Sequence, residues 1–133
     1  MWVIKPDEEA FTFGLEAIVP SDNNSSADLK KEFYDTVLKK LQEKGYKTFE
    51  KKVAVVVRVQ RNSIKETEAD SISRTLLDAL HNWRKVNQYN VQMGPRRLIE
   101  NDSSAYVASF TVEIKKGPNR IDYFLWEVGP TGW

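Results

Sequence analysis

Phe11, Phe13, Leu15, Ala17 and Val19 alternate with Thr12, Gly14, Glu16 and Ile18, the period of two that marks a half-buried strand. Pro20 to Ser26 (PSDNNSS) is turn chemistry, a proline followed by short side chains that bond their own backbone. From Ala27 to Lys44, Leu29, Phe33, Val37 and Leu41 recur every four residues, flanked by Tyr34 and Leu38. That spacing predicts one face of a helix, capped by Ser25 or Ser26 and ended by Gly45. Val53, Val55, Val57 and Val59 share one side of a second strand. Ala54 and Val56 on its other side are apolar too, so this strand is expected in the middle of the sheet. Ile72, Leu76, Ala79, Leu80 and Trp83 predict a second helix from about Asp70 to Lys85. Residues 86–97 (VNQYNVQMGPRR) carry no period and contain Gly94-Pro95, which reads as a loop. Tyr106, Ala108, Phe110, Val112 and Ile114 predict a third strand, and the turn Gly117 to Arg120 leads into a fourth, Ile121 to Val128, as a C-terminal hairpin.

The order β-α-β-α-β-β predicts one small α+β domain, a mixed β-sheet with two helices that ends in a hairpin. A chain of 133 residues is the size of a single domain, here read as residues 1–133 with 1–10 and 129–133 as loose ends. Hydrophobic residues at 41% supply a core and argue against a disordered chain. The absence of cysteine removes disulfides, a cysteine nucleophile and thiolate metal sites, and a single histidine, His81, makes a histidine-rich metal site remote. His81 itself is expected at the surface or at the boundary of the second helix's apolar face. No apolar run approaches the roughly 18 residues of a membrane span. The start, MWVIKPDEEA, has neither the basic region nor the apolar stretch of a secretion signal, so a cytoplasmic protein is expected. No phosphate-binding loop or dinucleotide fingerprint is present, which argues against a nucleotide cofactor.

The net charge of +1 changes the picture only when it is divided along the chain. Residues 30–65 carry eleven basic against four acidic side chains, whereas residues 1–29 carry one against six. Local potential rather than total charge attracts a polyanion, although a lysine-rich helix face can equally be a solvated surface. The basic positions Lys30, Lys31, Arg74, Arg96, Arg97, Lys115 and Lys116 are candidates for following a nucleic-acid backbone.

Carboxylates stand out by position. Glu66, Glu68 and Asp70 occupy the entry to the second predicted helix, and Glu100 and Asp102 lie shortly before the third strand. A hard cation such as Mg²⁺ takes oxygen ligands of this kind and can activate a water against a phosphodiester. The same acids also suit a helix dipole, and Thr67 with Asp70 resembles a capping box, so helix capping stays open as an alternative. Arg74 follows Asp70 by four residues and shares its helix face. It is placed either to meet a metal-bound phosphate or to pair with Asp70.

Taken together, Val19-Pro20-Ser21-Asp22-Asn23-Asn24 after the first strand, Glu68-Ala69-Asp70-Ser71-Ile72-Ser73-Arg74, Leu77-Asp78-Ala79-Leu80 and Asn101-Asp102 before a Lys116-Gly117 turn resemble the RusA family of Holliday-junction resolvases. The resemblance runs from Phe11 to about Val128. It implies that Glu68, Asp70 and Asp102 bind Mg²⁺, with Mn²⁺ as a substitute, and that Asp70, Arg74 and Asp102 are catalytic, Arg74 standing near the scissile phosphate. It further implies a homodimer that cuts branched DNA in recombination and repair. The chain departs from the family pattern at Glu68 (Asp in the family), Ser71 (Asn), Arg74 (Lys) and Asn101 (Asp). Those substitutions motivate a rival expectation, a DNA-binding or protein-interaction module on the same fold that does not cut.

Overall fold

The computed structural model describes residues 2–20, 27–62, 68–81, 98–99 and 105–128, with residues 27 and 68–71 given by backbone alone. The elements follow in the predicted order: β1 (Phe11–Leu15), α1 (Ala27–Lys44), β2 (Val53–Arg61), α2 (Glu68–Asp78), β3 (Val107–Lys116) and β4 (Arg120–Glu127). The four strands form one mixed sheet in the order β1-β4-β2-β3, and the architecture is α+β. Among the described residues no helix is long and apolar enough to cross a membrane.

β2 is buried on both faces from Val53 to Val57, which leaves no position for it at a sheet edge. It pairs antiparallel with β4 on one side and parallel with β3 on the other. This corrects the expected C-terminal hairpin: β3 and β4 are consecutive in the chain, but β2 lies between them. Arg61 is opposite Lys116 and Gln60 is opposite Arg120, so residues 117–119 cross over the end of β2. The crossing is fastened to that end. Gly117 N–H donates to the Arg61 carbonyl at 2.9 Å, and Asn62 N–H donates to Asn119 Oδ1 at 3.1 Å.

The inner face of the sheet is a grid read from the register: Phe13 opposite Tyr123, Tyr123 opposite Val57 and Val57 opposite Val112, with Leu15, Ile121, Val59 and Ile114 in the next row. These residues share one core cluster with Phe33, Val37 and Leu41 of α1 and Ile72 and Leu76 of α2, so both helices cover the same face. The rings of Phe13 and Tyr123 stack at 4.7 Å. α1 packs along β1 and α2 along β3.

Two strands differ from the sequence pattern, each for a local reason. β1 ends at Leu15 rather than Val19, because Leu15 pairs with Ile121, one residue from the start of β4, and ahead of Arg120 the chain comes from the crossing over β2. Burial still alternates there, with Val19 buried and Ile18 exposed. In β3 the register shifts between Val53 and Ala54 of its partner, an irregularity that brings Val107 into the core contacts and leaves Ala108, expected inward, exposed. α1 ends as predicted, with Gly45 at φ 81° donating to the Leu41 carbonyl at 2.9 Å.

α2 stops at Asp78 instead of Lys85. Leu80 N–H donates to Leu77 and His81 N–H to Asp78, so the last turn tightens. The Leu80 carbonyl, which a longer helix would offer to residue 84, receives Leu98 N–H at 3.1 Å and Ile99 N–H at 3.3 Å. The Leu76 carbonyl accepts the Tyr123 hydroxyl at 2.8 Å in a fully buried setting. The capping serines 25 and 26, Trp83 and the loop 86–97 lie outside the described residues.

Tyr123 therefore closes the end of α2 from the sheet. Tyr123→Phe is expected to lower unfolding free energy by about 1–2 kcal/mol, since it strands a buried carbonyl, and urea denaturation measures it. Burial first, and Tyr34 nearby second, hold the Tyr123 phenol well above its ordinary value. The native state thus keeps a proton that the unfolded chain releases above about pH 10, so stability is expected to fall as pH rises past that point. Tyr123→Phe removes that part of the fall.

Candidate functional site

Glu68 and Asp70 lie in the opening turn of α2, and Arg74 follows one turn later. The far end of the helix is tied through Leu80 to Ile99, which bridges to Phe49 ahead of β2. The opening turn therefore points back toward the end of β2 where Arg61 and Lys116 lie. Asp102, Arg96 and Arg97 are outside the described residues. Among the described residues no group of three or more His, Asp or Glu side chains is arranged to hold a metal ion. The donors named by the sequence are all carboxylates, which suits Mg²⁺ or Mn²⁺ chemically.

Arg74 has a carboxylate partner that the sequence reading did not assign. Its Nε lies 3.4 Å from Asp78 Oδ1, four residues onward, and His81 Nε2 lies 3.4 Å from the same oxygen. His81 is buried rather than at the surface, because the tightened turn after α2 folds it back toward Asp78. The signal in the sequence was Arg-x-x-x-Asp-x-x-His, an i, i+4, i+7 stripe that runs along one helix face.

The described basic candidates lie on separate elements. Lys30 and Lys31 sit in the first turn of α1, which packs along β1, whereas Lys115 and Lys116 end β3 at the opposite sheet edge. Lys44 of the basic segment donates to the Thr12 carbonyl and lies over the Phe11 ring, 5.4 Å from its centroid. Two open grooves accompany these elements. One of about 970 Å³ runs between the segment after α1 and Glu127, lined by Tyr46, Phe49, Lys47 and Lys51. The other, of about 560 Å³, lies between α1 and β1 and is lined by Lys40, Glu43, Lys44 and Arg120. Neither is lined by α2.

The outer face of the sheet holds the other feature that sequence reasoning missed. Arg58 interrupts the valine run of β2 and is stacked between two rings, 4.8 Å from the Phe124 centroid and 5.4 Å from that of Trp2. It also donates to the Ile4 carbonyl at 3.1 Å. Glu113 of β3 accepts the N–H groups of Val3 and Ile4 at 2.8 and 2.7 Å. Lys115 Nζ lies over the Trp2 ring at 4.7 Å. The sequence reads residues 1–10 as a loose end, yet residues 2–4 form a strap fastened across β2 and β3. A charged residue inside an apolar strand was the available signal. Beside the strap, Arg120 and Asp122 pair at 3.0 Å above Gly14. A Cβ at Gly14 would overlap Asp122 Oδ1 and sit 2.6 Å from Arg120 Nη2, so this position needs glycine for the pair to lie flat.

No protein-family model matches the chain, and no curated protein is significantly similar to it.

Desolvation pushes the Glu113 carboxyl up, but the N–H groups of Val3 and Ile4, with Arg58 and Lys115 nearby, outweigh it and hold the carboxyl below its ordinary value. A depressed carboxyl stabilises the strap above the ordinary glutamate pKa of about 4.3 and loses that contribution as pH falls through its folded value. The amide resonances of Val3 and Ile4 are expected to move upfield together as the pH is lowered below the ordinary glutamate range. Glu113→Gln is expected to abolish that titration, which NMR reads directly.

Proposed function

We propose that this protein is a Mg²⁺-dependent endonuclease that hydrolyses phosphodiester bonds in branched DNA, working in the cytoplasm as a homodimer. The observation that carries the reading is the composition of α2: an opening turn with Glu68 and Asp70, then an exposed Arg74 on the face of position 70. That turn points toward the end of the sheet where Arg61 and Lys116 lie. Glu68, Asp70 and Asp102 would hold the ion, which when bound supplies polarisation of the phosphodiester and a lower pKa for the attacking water. Arg74 neutralises charge on the phosphate, and the basic strand ends hold the strand on either side. A symmetric pair of subunits suits a junction with two equivalent strands to cut.

A second reading, binding of branched DNA without cleavage, draws on the helical spacing. With Glu68 already inside α2, positions 68 and 70 are about 200° apart around the axis, which disfavours a shared ion. The two readings separate in one assay on an end-labelled four-way junction with Mg²⁺ or Mn²⁺. Paired nicks from the wild type, reduced roughly 10²-fold or more in Asp70→Asn, are expected. A salt-sensitive gel shift that chelator leaves unchanged, without nicks, would replace the nuclease with the binding module. The absence of any shift on junction, duplex and single strand at low salt would discard both.

A further inference from the structure

Asp78 stands where helix physics disfavours a carboxylate. It is the last residue of α2, facing the negative end of the helix dipole, and its side chain is only 12% exposed. Burying a carboxylate is costly unless charges or hydrogen bonds compensate it. The guanidinium of Arg74 stands in ion-pair range, with Nε 3.4 Å from Oδ1, and His81 Nε2 lies at the same distance from that oxygen, though neither contact is a hydrogen bond. The two partners differ in kind. The His81 side chain is 10% exposed, whereas that of Arg74 is 65% exposed. The cluster therefore joins a buried anchor to a guanidinium at the surface. A structural role at this position needs no acid, since a neutral or apolar residue would avoid both costs.

We propose that Asp78, backed by His81, is a positioning residue that fixes Arg74 to receive a phosphodiester oxygen of a nucleic-acid strand. This rests on the DNA reading above. An arginine drawn to a buried carboxylate on its Nε side has the outer edge of its planar fork turned outward before a ligand arrives, and that fork matches a phosphate in a two-point contact. Holding the side chain in advance also removes rotamer freedom that binding would otherwise cost. The position fits the proposed site: Arg74 lies one turn from Asp70 on the same face, and Asp78 holds it from the next turn.

The sign of one substitution separates positioning from plain electrostatics. Removing an acid beside a polyanion site ordinarily tightens binding, whereas removing an anchor weakens it. The full chain is titrated against a labelled four-way junction across a salt series, without divalent metal, as wild type, Arg74→Ala, Asp78→Asn, Asp78→Glu and the double variant Arg74→Ala with Asp78→Asn. Asp78→Asn is expected to weaken binding roughly three- to tenfold and to reduce the salt slope by about one, as Arg74→Ala does. Asp78→Glu is expected to recover most of the loss, and the double variant to bind no more weakly than Arg74→Ala. Thermal unfolding of each variant confirms that it is folded. If Asp78→Asn does not fold, Arg74→Lys carries the test, because lysine keeps the charge and lacks both Nε and the fork. A several-fold loss supports the proposal, and wild-type binding by Arg74→Lys overturns it. Wild-type or tighter binding by Asp78→Asn also overturns it while leaving the DNA reading intact. A wild-type chain that binds no junction at low salt overturns both.

Discussion

β2 is hydrogen-bonded along both edges and buried on both faces from Val53 to Val57, and the remaining topology follows from satisfying it. A strand with valines on one face and Ala54 and Val56 on the other cannot leave either edge or either face to water without a penalty. Two neighbours are therefore required, and the chain supplies them from a single stretch, β3 and β4. Only a strand inserted between them can be served by both. The three-residue connection 117–119 must then pass over the end of β2, where Gly117 and Asn119 hydrogen-bond to Arg61 and Asn62. The parallel pairing of β2 with β3 in turn demands a return path, which α2 occupies.

That return path places the candidate chemistry. α2 is closed at its far end by three backbone and side-chain bonds from other parts of the chain: Leu98 and Ile99 onto the Leu80 carbonyl, and the Tyr123 hydroxyl onto Leu76. A helix so pinned at one end and packed along β3 directs its opening turn, with Glu68 and Asp70, toward the end of the sheet where Arg61 and Lys116 lie. The same closure brings His81 back onto Asp78. The buried core and the exposed Arg74 are thus mechanically connected through a single turn of helix.

How far this could be read from the chain depends on the range of the interaction involved. The periods that predict α1, β2 and the start of β4 are local, since burial of one face imposes them residue by residue. The hairpin could not be distinguished from a crossing, because Gly117-Pro118-Asn119 makes the same turn signal whether the next strand lands beside β3 or beyond β2. The end of α2 was equally hidden. The apolar pattern continues to Trp83, and what stops the helix is a pair of N–H groups some twenty residues further along. The contact that Arg74 makes with Asp78 was not legible either. Arg74 has an acid four residues before it and another four after, and isolated-helix preferences favour the acid on the N-terminal side. The contact seen at Arg74 Nε is with Asp78, whose near-complete burial makes a nearby cation worth more to it than to an acid at the surface.

The same reasoning revises what the basic segment means. Counting eleven basic side chains between residues 30 and 65 suggests one continuous positive surface. Folding distributes ten of them, all but Lys65, over α1, the stretch leading into β2, and β2 itself. Arg58 is held between Trp2 and Phe124 and fastens the N-terminal strap, so its charge is largely committed to the protein. Lys44 is similarly engaged with Thr12 and Phe11. An attractive field for a polyanion must therefore come from fewer groups than the sequence count implies, set at particular places. Where few cations act, their orientation counts for more than their number, because a loosely held lysine loses rotamer freedom on contact and a pre-set guanidinium does not. An arginine anchored by a buried acid, in a chain whose net charge is only +1, is how such a surface would favour a specific phosphate contact over diffuse attraction.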